Sequence, residues 1–136
     1  MTLSDDKWCF ACGPENPHGL HLSFRSEGDE YVCDFIPQRC HQGWAGVVHG
    51  GIIATLLDET MNRMLCDSGT PVVTADLQMR FKHPAPVGAP LQVCARIRER
   101  RKSLVRAEAE ATLADGTVVA TARSRLMVGE LADAGR

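Results

Sequence analysis

Residues 47–62 read VVHGGIIATLLDETMN. Ile52, Ile53, Leu56, Leu57 and Met61 recur at steps of three and four, and Met64 and Leu65 carry the pattern further. The spacing predicts one helix over about Gly50 to Cys66, with an apolar face too wide for a surface helix. At ~1.5 Å per residue it runs roughly 25 Å, about the length of strands of eight to ten residues at ~3.3 Å each. A sheet of such strands can wrap it lengthwise. Two features of the stretch need a reason: it opens on bare Gly50 and Gly51, and it carries Asp58 and Glu59 midway.

Downstream the period changes to two. Val73, Ala75, Leu77, Met79 and Phe81 share one parity, while Thr74, Asp76, Gln78, Arg80 and Lys82 share the other. Three more alternating runs follow: Leu91 to Ile97, Val105 to Leu113 and Val118 to Val128. Pro and Gly in HPAPVGAP and Gly in ADGT separate them, and the four strands read as an antiparallel meander. Upstream, LHLSFRSE and EYVCDFIP read as a hairpin closed around Gly28 and Asp29, with Leu20, Leu22 and Phe24 on one face.

A chain of 136 residues suits one domain, here 1–136, with 1–19 a turn-rich cap and 130–136 a disordered tail. A formal net charge of -2 gives no bulk attraction to nucleic acid or to anionic membrane. MTLSDDKWCF has acids where an export signal has basic residues, and no segment is long enough to span a bilayer. The expected setting is the cytoplasm, with the six cysteines reduced. Cys9 and Cys12 have the spacing of half a zinc site. Zinc normally takes four ligands, and Cys33, Cys40 and His41 lack a matching spacing, so no metal is expected.

Two strands, one buried helix and four strands is the order of the hotdog fold. With His49-Gly50-Gly51, an acid seven residues after the second glycine, and VTADLQMRFKHPAPVG at 73–88, the chain resembles the PaaI-like, phenylacetate-pathway type of hotdog thioesterase. The resemblance covers roughly Gly19 to Val128. It implies an α+β fold of about six antiparallel strands around one central helix. It also implies hydrolysis of acyl-CoA to a free acid and coenzyme A, with no cofactor beyond the coenzyme A of the substrate. Gly50 and Asp58 are roughly 12 Å apart along one helix, farther than a thioester carbonyl spans, so the expected assembly is a homodimer with shared active sites, or a dimer of such dimers, a homotetramer.

The chemistry accounts for both odd features of the helix. Thioester hydrolysis builds negative charge on the carbonyl oxygen, and free N–H groups at a helix N-terminus stabilise such a charge, so Gly50 and Gly51 are candidate oxyanion donors. Tight helix-to-sheet packing is their plain alternative. Asp58 follows Gly51 and Ala54 and precedes Asn62 on one stripe of small and polar residues, where a ligand has room. It is the candidate base or nucleophile, and Glu59 is the competing acid. Asn62 on that stripe is a candidate substrate contact. His49 is either a general base or a helix-capping residue.

The resemblance adds Gln42, in the loop before the helix, and the Thr74 hydroxyl, although Thr74 shares the parity of Asp76 and Gln78. In the basic run RIRERRKS, Arg100, Arg101 and Lys102 are candidates for the coenzyme A phosphates, as is Lys82, with a solvated hairpin tip the alternative. No GxxxxGK[ST] phosphate loop occurs. Two rivals stand beside hydrolysis: a hotdog domain that binds acyl-CoA without turnover, as a sensor or carrier, and a hydratase. The latter usually pairs a His with an acid, and no residue near Asp58 in sequence supplies that pair.

Overall fold

The computed structural model describes residues 1–132. Helix α1 spans Gly50–Cys66, as the periodicity predicts, and buries Ile53, Leu56, Leu57, Thr60, Met61 and Leu65. Leu56, Leu57, Met61 and Leu65 are fully buried, each contributing roughly 1.5–3 kcal/mol. Thr60, polar in this core, returns its hydroxyl proton to Leu56 O at 2.7 Å. Tertiary burial, more than local propensity, therefore holds the helix.

Around it run β2 (Phe24–Glu27), β3 (Glu30–Phe35), β4 (Val72–Phe81), β5 (Leu91–Arg100), β6 (Leu104–Leu113) and β7 (Val118–Val128). They form one sheet in the order β2-β3-β5-β6-β7-β4, each neighbouring pair antiparallel. This is the hotdog fold. The face toward α1 is rich in small residues, with Ala95, Ala107, Ala109, Ala111, Ala120 and Ala122 all buried, so the helix lies close against the sheet. Gly28, at φ 60°, makes the β2–β3 turn where the sequence places it.

Three expectations need correction. The last four strands are not a simple meander: β5, β6 and β7 are, but β4 pairs with β7 at the sheet edge. The link after β4 is too long and proline-rich for a hairpin, and it seats on the loop ahead of the helix instead, Val48 N–H to Ala85 O and Val87 N–H to Gly46 O, both 2.9 Å. Leu20 and Leu22 precede β2 rather than belonging to it. They are buried because their N–H groups hang on the cap, on Phe10 O and Ala11 O, each at 2.9 Å. Finally, a tail does not begin at 130: β8 (Glu130–Leu131) pairs in parallel with β1 (Thr2–Leu3), and residues 133–136 of the expected tail lie outside the described residues.

Candidate active site

The site turns on an irregularity in β4. Thr74 is in register with Leu126 and Asp76 with Arg125, so Ala75 is the extra residue of a β-bulge. The bulge reverses the parity read from sequence. Thr74 falls on the face of buried Leu126, toward α1, while Asp76 turns outward and pairs with Arg125 at 3.1 Å.

Thr74 thereby reaches Asp58. Its hydroxyl donates to Asp58 Oδ1 at 2.6 Å and accepts from Asn62 Nδ2 at 2.9 Å. Asn62 Nδ2 also approaches Asp58 O at 2.8 Å and Asp58 Oδ1 at 3.2 Å. Asn62, expected to touch substrate, is occupied in orienting the acid. Oδ2 of Asp58 has no hydrogen-bond partner among the described residues, and Asp58, Asn62 and Thr74 line a cavity of about 520 Å³ between α1, β4 and the cap. One carboxylate oxygen is fixed and the other is left for chemistry.

Glu59 faces elsewhere. Its Oε1 accepts from the Cys12 thiol at 2.9 Å and the Cys9 thiol at 3.5 Å, which ties it to the cap. Burial, with the Glu59 carboxylate alongside, pushes the Cys12 thiol far above its ordinary range, so it is a protonated thiol and a poor nucleophile.

At the helix start the two glycines part company. The Gly51 N–H donates to His49 Nδ1 at 2.8 Å, so it is not a free oxyanion donor. A Cβ on Gly51 would sit 3.0 Å from that same nitrogen, which explains its bareness through the capping ring. His49 is the N-cap, and its Nδ1 accepts the Gly51 N–H, which is the capping arrangement that the sequence offered for it beside general-base work. Gly50 differs. Its N–H has no partner among the described residues, and a Cβ there would make only ordinary 3.5 Å contact with the Phe81 ring, so packing within the chain does not require glycine. Gly50 and Asp58, eight residues apart on one helix, are separated by roughly 12 Å along its axis.

Gln42 Oε1 accepts from Gly46 N–H at 3.1 Å, bracing its own loop away from the Asp58 cavity. The basic candidates divide. Arg100 donates to Thr70 Oγ1 at 2.7 Å, and Arg101 and Lys102 line the same shallow hollow just past the helix C-terminus. Lys82 follows Phe81 at the opposite end, so one chain does not gather them into one clamp.

A family model described as thioesterase superfamily matches residues 45–120, which hold the whole of α1 and the site acid. The chain belongs to the thioesterase superfamily. Mouse acyl-coenzyme A thioesterase 13 is 30% identical over 86 residues, 62% of this chain and 61% of that protein. The matched region is thus a little under two thirds of that relative. The PaaI protein of the E. coli phenylacetic acid degradation operon superposes with a TM-score of 0.76 at 19% identity, covering 83% of this chain and 84% of the other. Streptococcus mutans smu.793, solved bound to acetyl CoA, gives 0.74 at 19%, covering 80% and 89%.

In this thioesterase-superfamily chain, sequence reasoning passed over Arg63. It lines the Asp58 cavity, ion-pairs with Asp67, and has a buried Nε with no partner among the described residues. Its place one residue beyond Asn62 gave no signal, since an arginine on a helix is ordinarily a solvated residue. Thr74 is the residue whose role the bulge makes testable. Thr74→Val keeps shape and strand preference but removes the donor to Oδ1. The expected result is a kcat lowered about tenfold, the scale of one hydrogen bond to a charged group, with KM little changed. Steady-state kinetics on a suitable acyl-CoA check it; equal loss in kcat and gain in KM would mean a general distortion.

Proposed function

We propose that this chain is an acyl-CoA thioesterase, cleaving a thioester to a free carboxylic acid and coenzyme A. The observation that carries the reading is Asp58, with Oδ1 held by Thr74 and Asn62 and Oδ2 unengaged on a cavity wall. Such a carboxylate can take a proton from water as the oxygen attacks the thioester carbon, or attack that carbon itself and be released by water. In either route the C–S bond breaks, the sulfur leaves as thiolate and takes up a proton. The free N–H of Gly50, with the helix dipole behind it, suits the developing oxyanion. The name of the mouse relative and the acetyl CoA in the streptococcal neighbour support the substrate class.

The 12 Å between Gly50 and Asp58 calls for two chains. Among the described residues edge strand β4 has β7 on one side only, and Leu77 and Phe81 on it are 37% and 57% exposed. A long edge with exposed apolar residues fits pairing with a second copy. With the two helices antiparallel across a twofold axis, Gly50 of one chain comes beside Asp58 of the other. Lys82 of one chain and Arg100 to Lys102 of the other then fall at the same end of a site, where coenzyme A phosphates would lie. Two such dimers back to back would make the homotetramer. A cytoplasmic setting, where six free thiols stay reduced, fits this reading. Among the described residues no helix is long and apolar enough to cross a membrane.

The deciding measurement is a panel of short, medium-chain and aromatic acyl-CoAs, followed by loss of thioester absorbance so that the protein's own thiols do not interfere. Turnover of at least one class is expected. Thioesters that bind and are not hydrolysed across the panel would make the protein a binding module instead.

A further inference from the structure

The cap meets the middle of α1 at one point. The Sγ atoms of Cys9 and Cys12 and a carboxylate oxygen of Glu59 all lie within 4.8 Å of one another. The turn carrying the cysteines is tightly built. Gly13 N–H donates to Cys9 O at 2.8 Å, Glu15 N–H to Lys7 O at 3.1 Å and Asn16 Nδ2 to Trp8 O at 3.3 Å. A Cβ at Gly13 would fall 2.3 Å from Cys9 N, so only glycine permits the turn. Lys7, at its entrance, holds φ 67°, a conformation uncommon outside glycine. Backbone constraints thus aim both thiols at one helix residue.

We propose that Cys9, Cys12 and Glu59 form a site for a thiophilic divalent cation of the zinc type, which staples the cap onto α1. Zinc with Zn–S about 2.3 Å and Zn–O about 2.0–2.2 Å in tetrahedral geometry keeps its ligands about 3.5–3.8 Å apart, within about 1 Å of the present spacing. Two sulfurs and one carboxylate match zinc far better than calcium or magnesium, which take oxygen donors. Binding forms two metal–sulfur bonds and one metal–oxygen bond and releases the two thiol protons to solvent, with no change of oxidation state. Three protein ligands leave a fourth position. Cys9, Cys12 and Glu59 line the same cavity as Asp58, so that position opens there and takes water. The Arg63 guanidinium on the same cavity wall is tied to Asp67 through one terminal nitrogen. The metal-free expectation drawn from sequence looked for ligands among cysteines and histidines at regular spacing; the third one is a glutamate 47 residues beyond Cys12.

The test uses the full chain, reduced and stripped of metal, titrated with Co²⁺ and then competed with Zn²⁺ against a chromophoric chelator. One equivalent per chain is expected, with the thiolate-to-cobalt charge-transfer band and the intense visible bands of a tetrahedral site, and a zinc Kd below about 1 μM. Cys9→Ser and Cys12→Ser should each remove most of the charge-transfer intensity. Glu59→Gln, nearly isosteric, should keep that band while weakening zinc at least about tenfold. Cys40→Ser, the exposed cysteine outside the cluster, should change nothing. A wild-type Kd above about 1 μM, or a spectrum that survives Cys9→Ser with Cys12→Ser or vanishes with Cys40→Ser, overturns the site. Because the readout contains no substrate, a failure to hydrolyse any thioester would leave this result standing, and the reverse holds too.

Discussion

Asp58→Asn leaves the protein folded and able to bind acyl-CoA, and lowers kcat by at least about a hundredfold. The amide is nearly isosteric, and its oxygen can still accept from Thr74 and Asn62 where Oδ1 does now. What changes is the other position. An NH₂ group replaces the unengaged Oδ2 and can neither take a proton from water nor attack a carbonyl. Single-turnover and steady-state rates, with thermal unfolding beside them, separate this from misfolding. Near-normal turnover in Asp58→Asn together with loss in Glu59→Gln would move the chemistry to the neighbouring acid, against the geometry that points Glu59 at the cap thiols.

Complementation between chains is the second large effect. Gly50→Val places a branched side chain over the one helix-start N–H that is free among the described residues, and its Cβ makes only ordinary contact with the Phe81 ring. The variant should fold, form dimers and be inactive. Asp58→Asn should be inactive alone as well. Mixed, they yield heterodimers in which one site carries both lesions and the other carries neither, so activity returns toward half of wild type per heterodimer. With subunit exchange confirmed by native mass, a mixture that stays inactive would mean that each chain makes its own site.

The helix was legible to its end residues because its period, apolar width and opening glycines agree, and nothing in the fold competes with them. Most strand positions were legible for the same reason, since alternation is local, but Leu20 and Leu22 alternate ahead of β2 rather than in it. Strand order was not, because pairing β4 with β7 depends on how the sheet closes around α1, which no local pattern encodes. The bulge at Ala75 escaped notice too, since no glycine or break marks it, and it made Thr74 look outward-facing. Gly50 and Gly51 were indistinguishable as letters. Only the His49 ring, folded back onto the second N–H, tells them apart. The acid pair was separable by helical phase: Asp58 lies on the stripe of Gly51, Ala54 and Asn62, and Glu59, one residue on, is rotated by about 100° toward the cap.

The edge position of β4 also makes its placement depend on a strand far along the chain. Its ladder runs only to β7, Val72 against Val128 and Thr74 against Leu126, pairings that close a long loop. Among the described residues the backbone of Thr74 is laddered only to the 118–128 segment, so the placement of its hydroxyl depends on that segment. The hydroxyl that steadies the Asp58 carboxylate is therefore held in place by the last long strand in chain order. A nicked chain lacking β7 would keep the helix and β2, β3, β5 and β6, and its Asp58 would keep Asn62 and lose Thr74.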